Sequence, residues 1–60
     1  NVALDAAREV ATDGWGRIAD WHGACEARGV PQATRYREWQ KLKDIDAITE
    51  TEEHFILNPQ

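Results

Sequence analysis

Gly29-Val30-Pro31 constrains this chain more than any other three residues, because it lies between two stretches of helical periodicity and neither can run through it. Proline has no backbone N–H and its ring clashes with the preceding turn, so Pro31 cannot continue an incoming helix, yet it suits the start of a new one. Glycine takes the left-handed conformation without a Cβ penalty, which makes Gly29 a natural C-terminal cap. One helix must end near Arg28 and another begin at Gln32, with a short turn between them. The segment beyond the turn is basic. From Gly29 to Lys43 it holds Arg35, Arg37, Lys41 and Lys43 against Glu38 alone, a balance of +3 in a chain whose net charge is −4.

Before this turn, Leu4, Ala7, Val10 and Ala11 recur at helical spacing with Asp5, Arg8 and Glu9 between them, predicting a first helix from Val2 to Ala11. Thr12-Asp13-Gly14 interrupts the pattern. Trp15, Ile18, Trp21, His22 and Cys25 then follow at intervals of three and four, which predicts a second helix from Trp15 to about Arg28. The third helix runs from Gln32 to about Asp44. After it, Ala47 to Thr51 and His54 to Leu57 are β-prone segments of hairpin size, separated by Glu52-Glu53. That turn lacks the Asn-Gly or Asp-Gly of tight hairpins, so a third helix continued through Glu53 is the alternative.

Sixty residues make one small domain, and a chain of this length buries only about 60% of the surface its unfolded form exposes. Its single cysteine, Cys25, forms no internal disulfide, and with only His22 and His54 beside it there is no four-ligand zinc set. Apolar packing must carry the fold. Hydrophobic residues make up 42% of the chain, Trp15, Trp21, Trp39, Tyr36 and Phe55 among them, enough for a single compact core. No apolar run approaches the roughly 18 residues of a membrane span, and the N-terminus lacks the order of a signal peptide, so a soluble cytoplasmic protein is expected. The chain starts at Asn1 and contains no methionine, which reads as one domain, residues 1–60, excised from a larger protein.

Three helices and a hairpin, with a short turn between the second and third helices, resemble the winged helix-turn-helix family over almost the whole chain. The residues carrying the resemblance are Gly29-Val30-Pro31-Gln32-Ala33-Thr34 at the turn and the apolar Trp39 and Leu42 on the third helix. Asp46-Ala47-Ile48 stands where the family leads into its wing through a glycine. Asp46 replaces that glycine, and aspartate tolerates the left-handed region better than most residues. The resemblance implies a mainly α fold with a small β-hairpin, a three-helix winged helix-turn-helix that binds DNA with its third helix. It extends to accessory C-terminal domains of phage, plasmid and archaeal replication proteins.

On a helical wheel Tyr36, Trp39 and Leu42 span an arc of about 120°, a core stripe, while Arg37, Lys41 and Thr34 fall on the opposite side. Arg35 lands inside the apolar arc, where its stem can lie along the core edge and its head reach outward. The expected contacts to double-stranded DNA are therefore Gln32, Thr34, Arg35, Arg37, Lys41 and Lys43. Arg37 suits guanine or phosphate, the lysines suit phosphate, and Gln32 and Thr34 sit at the helix N-terminus. Arg28 and Arg17, both placed on the second helix, could add backbone contacts. Glu50, Glu52 and Glu53, expected at the wing tip, would repel phosphates, so the wing is predicted to stay off the duplex.

The rival reading is a protein-interaction or dimerisation module that uses the acidic wing and Trp15, the tryptophan expected to be exposed. A third is a small three-helix phage or toxin-inhibitor protein with no wing. Enzymatic chemistry has little to stand on. The chain has no serine, Cys25 falls on an apolar stripe, and Gly14-Trp15-Gly16 is too short for a phosphate loop. Asp44 with Asp46, and Glu50 with Glu52, are spacings common in solvated acidic segments. No cofactor or metal is expected. Trp21, Trp39 and His22 are assigned to the core and His54 to the hairpin.

Overall fold

In a computed structural model describing residues 1–59, the chain forms α1 (Val2–Val10), β1 (Trp15–Arg17), α2 (Ile18–Ala27), α3 (Gln32–Asp44), β2 (Ile48–Glu50) and β3 (His54–Leu57). The three strands make one antiparallel sheet in the order β1-β3-β2. The fold is mainly α, three helices with a small β-hairpin that a third strand extends into a sheet.

Asn1 starts α1, its side-chain oxygen accepting the Leu4 N–H at 3.1 Å, and Asp5 in the first turn complements the helix dipole. Small residues on one face, Ala3, Ala6 and Ala7, are buried and let α2 approach closely. The approach is fixed by the Trp21 indole, which donates to the Ala3 carbonyl at 3.0 Å.

Gly14, at φ +87°, then turns the chain into β1 rather than into a helix. The spacing of Trp15, Ile18 and Trp21 predicts a second helix from Trp15. Residues 15–17 are instead a strand, paired Trp15↔Ile56, Gly16↔Phe55 and Arg17↔His54, and α2 begins at Ile18. Two glycines within three residues weaken any helix there by about 1 kcal/mol each, and the pairing partner lies some forty residues away. Gly16 is required for close approach. A Cβ at that position would meet Val10 Cγ1 at 2.6 Å and the Phe55 ring at 3.2 Å.

The turn around Gly29 is a full Schellman closure. Gly29 at φ +78° donates to the Glu26 carbonyl at 2.9 Å, and Val30 donates to Cys25 at 3.0 Å. The same device ends α3: Asp46 N–H bonds Lys43 and Ala47 N–H bonds Leu42, at 3.0 and 2.9 Å. Here Asp46 takes the left-handed conformation, φ 58°, as its place in the sequence predicted. The hairpin follows with Ile48↔Leu57, Thr49↔Ile56 and Glu50↔Phe55 in register, β2 being two residues shorter than the β-prone segment. Its loop is held by Thr51, whose amide and hydroxyl both donate to the His54 carbonyl.

Trp21, Cys25, Leu42 and Phe55 are fully buried where α1, α2, α3 and the inner sheet face meet. Trp39 bridges them, its ring 4.4 Å from Trp21 and edge-on to Phe55 at 5.4 Å. Aromatic contacts of this kind add about 0.5–1.5 kcal/mol each beyond simple burial, which matters in a core this small. Burial pushes the Cys25 thiol up, away from the thiolate form, despite Arg35 and Arg28 nearby. Among the described residues no helix is long and apolar enough to cross a membrane.

Candidate nucleic-acid interface

The side chains of α3 are arranged about a core stripe made by Arg35, Glu38, Trp39 and Leu42, the spacing i, i+3, i+4, i+7. Trp39 and Leu42 are buried, and Arg35 and Glu38 are half-buried. This stripe is rotated by about 50° from the one that Tyr36, Trp39 and Leu42 suggest. Two expectations change as a result. Tyr36 is 59% exposed and belongs to the outer face, not the core. Thr34 is half-buried rather than outward, and lines a groove of about 490 Å³ with Val2, Gly29, Val30, Pro31 and Glu38.

The outer face of α3 consists of Ala33, Tyr36, Arg37, Gln40, Lys41 and Asp44, with Gln32 at its N-terminal end. Tyr36 and Gln40 belong to this face although the apolar spacing of α3 does not point to them. Reading the long stems of Arg35 and Glu38 as part of the core stripe would have placed both correctly.

Arg35 faces inward. Its Nη1 donates to the Val30 carbonyl at 2.7 Å and its Nε to His22 Nδ1 at 3.1 Å, so the guanidinium ties α3 to the turn and to α2. His22 must be neutral at Nδ1 to accept that bond. Burial first, and the Arg35 charge second, hold its pKa below the usual histidine value. The His22 ring also packs edge-on against Trp21 and Tyr36, at 5.0 and 5.7 Å.

The remaining cations differ in how far they are committed. Lys43 binds Glu50 at 2.8 Å, and Glu50 also accepts the Trp39 indole N–H at 3.3 Å. The Lys43 hydrogen bond holds the Glu50 carboxyl below its ordinary range, with Trp39 adding to it. Glu50 therefore sits on β2 over the core edge, not at the wing tip. Lys41 pairs with Glu38 at 3.2 Å in an open setting, with 71% of its own side chain exposed. Arg37 reaches only the Thr34 hydroxyl, at 3.4 Å, and has no carboxylate partner among the described residues. Gln32 and Gln40 contact Tyr36 and Asp44 along the helix surface.

Outside α3, Arg28 is tied to Glu9 at 2.8 Å and to the Ala24 carbonyl, just beyond the end of α2. Arg17 lies on β1 rather than on α2. The charge distribution is uneven: α3 carries four cations and two carboxylates, a balance of +2, whereas the rest of the chain carries three cations and nine carboxylates, a balance of −6. An exposed strip offering a guanidinium, an ammonium, a phenol and two amides can hydrogen-bond base edges and phosphates. Among the described residues no cluster of three or more His, Cys, Asp or Glu side chains could hold a metal. No protein-family model, curated protein sequence or solved structure matches this chain.

Proposed function

We propose that this domain binds double-stranded DNA by laying the outer face of α3 in the major groove, within a protein of replication or transcription. The observation that carries the reading is the charge segregation: α3, at +2, is the one positive helix among the described residues of an acidic chain, and it is the helix that a winged helix-turn-helix presents to a duplex. Arg37 and Lys41 are the phosphate or guanine contacts, Gln32 and Gln40 the amide contacts, and Tyr36 an added hydrogen-bonding and apolar contact. Arg35 supports the helix from inside, and Thr34 and Lys43 stand at its margins. The resemblance to winged helix-turn-helix proteins supports the same reading.

Few free cations mean few phosphate contacts. Two or three of them give a salt slope of about −2 to −3, so affinity should fall roughly 10- to 40-fold between 50 and 200 mM salt. Fluorescence anisotropy with a mixed-sequence duplex tests this. Arg37→Ala with Lys41→Ala should weaken binding and flatten the slope, while Glu52→Gln with Glu53→Gln leaves binding equal or stronger. Absence of binding at low salt, or an unaffected Arg37/Lys41 variant, would sink the proposal.

A further inference from the structure

The sheet has a second, differently charged surface. Phe55 and Gly16 point toward the helices, so their strand neighbours Trp15, Ile56 and Thr49, which lie in one row across the three strands, point away from them. Trp15 is 54% exposed and Ile56 45%. Both are held in place before any partner arrives. The Gly14 carbonyl accepts the Leu57 N–H at 2.9 Å, fixing the strand that carries Trp15, and the indole leans on the His54 ring at 5.3 Å. A rigid, half-exposed tryptophan loses little freedom on binding, which is why such residues dominate interface energetics.

The charges bordering this row are mostly negative. Asp13 precedes β1, and Glu52 and Glu53 form the β2–β3 loop, which lies against the β1–α2 junction because the Glu53 carbonyl accepts the Ile18 N–H at 3.0 Å. All three carboxylates are exposed and unpaired among the described residues. Arg17, paired in register with His54, is the cation among them.

We propose that this outer sheet face docks a basic segment of a partner protein, with an apolar side chain set against Trp15 and Ile56 and flanking lysines or arginines facing Asp13, Glu52 and Glu53. A cation over the exposed indole face would add to the attraction. Charge selects this occupant over two others. A second copy would oppose six carboxylates to two arginines, and its apolar centre of two half-exposed side chains falls far short of the roughly 800 Å² per partner that stable dimers bury. A nucleic acid would meet the same carboxylates with its phosphates. The proposal is independent of DNA binding by α3, which uses a different surface.

The test is selection of a random dodecapeptide display library on the intact domain at low salt, followed by heteronuclear NMR titration with the enriched peptides. Enriched sequences should be net positive with an aromatic or aliphatic anchor, and should shift the amides of residues 15–17 and 49–56. Trp15→Ala and, independently, Ile56→Lys should each weaken them by about tenfold or more. Glu52→Gln with Glu53→Gln should weaken them roughly two- to fivefold and reduce the salt dependence. Failure to enrich, enrichment of acidic sequences, or equal binding to folded Trp15→Ala and Ile56→Lys overturns the proposal. So does a concentration-dependent dimer dissolved by Trp15→Ala, or a single-stranded oligothymidylate that shifts the same amides.

Discussion

Replacing Arg35 by alanine separates a structural arginine from a DNA-contacting one. A charged donor on a backbone carbonyl is worth about 1.5–3 kcal/mol, and the 2.7 Å bond to Val30 belongs to this class. The bond to His22 adds to it, and partial exposure of Arg35 subtracts, so Arg35→Ala should cost about 2 kcal/mol. Val30 also closes the α2 cap, so the loss falls on the turn that sets α3 against α2. In a domain of this size that loss lowers Tm by about 10 °C, given roughly 4–8 °C per kcal/mol. Urea unfolding followed by tryptophan fluorescence measures it, with the slope m unchanged. Arg35→Lys should lose most of the same stability, because one ammonium cannot reproduce the two-point fork. Duplex affinity, measured where both variants are folded, should change by less than about twofold, a rim-sized effect. Wild-type stability in both variants, together with a salt slope shallower by about one, would refute the inward assignment.

Stability should fall as pH drops below about 6.5, since His22 titrates at a lowered value in the fold and at an ordinary value when unfolded: the contribution is complete above 6.5 and is lost as pH falls through the folded value. His22→Gln should flatten this step in urea midpoints, whereas the loss due to Glu9 and Glu50, both lowered carboxylates, appears only below about 4.5. Tyr36→Ala, which gives up only the edge contact with His22, should cost no more than about 1 kcal/mol, against about 2–5 kcal/mol for Leu42→Ala, and thermal melts of the pair test the rotation of the α3 core stripe. Gly16→Ala should destabilise by about 1–3 kcal/mol, because its methyl group overlaps Val10 and crowds Phe55; an unchanged unfolding midpoint would contradict the β1–β3 packing.

Much of this fold is legible in local chemistry. Gly29, Pro31 and Asp46 each announce a backbone conformation, and they fix both sides of the turn between α2 and α3 and the exit of α3. α3 spans Gln32–Asp44, as Pro31 at its start implies, and does not continue through Glu53. β1 was hidden, because its three residues make sense as a strand only beside Phe55, and because Trp15, Ile18 and Trp21 keep a helical rhythm across the boundary. The stripe of α3 was misplaced for a different reason. A half-buried arginine and glutamate do part of the work that apolar residues usually do, so the helix is less amphipathic than its aromatics imply. Charge counts mislead in the same way: Arg35 and Lys43 contribute to a basic total, but they are spent on Val30, His22 and Glu50, and only geometry reveals those partners.

Duplex binding through α3 is tested most directly by an amide map of the isotopically labelled domain titrated with duplex DNA at low salt. Shifts should concentrate at Gln32, Ala33, Tyr36, Arg37, Gln40 and Lys41, with Trp15, Glu52, Glu53 and Ile56 unmoved. Shifts centred on the sheet or its loop, or no shifts along α3 at saturating duplex, would contradict it.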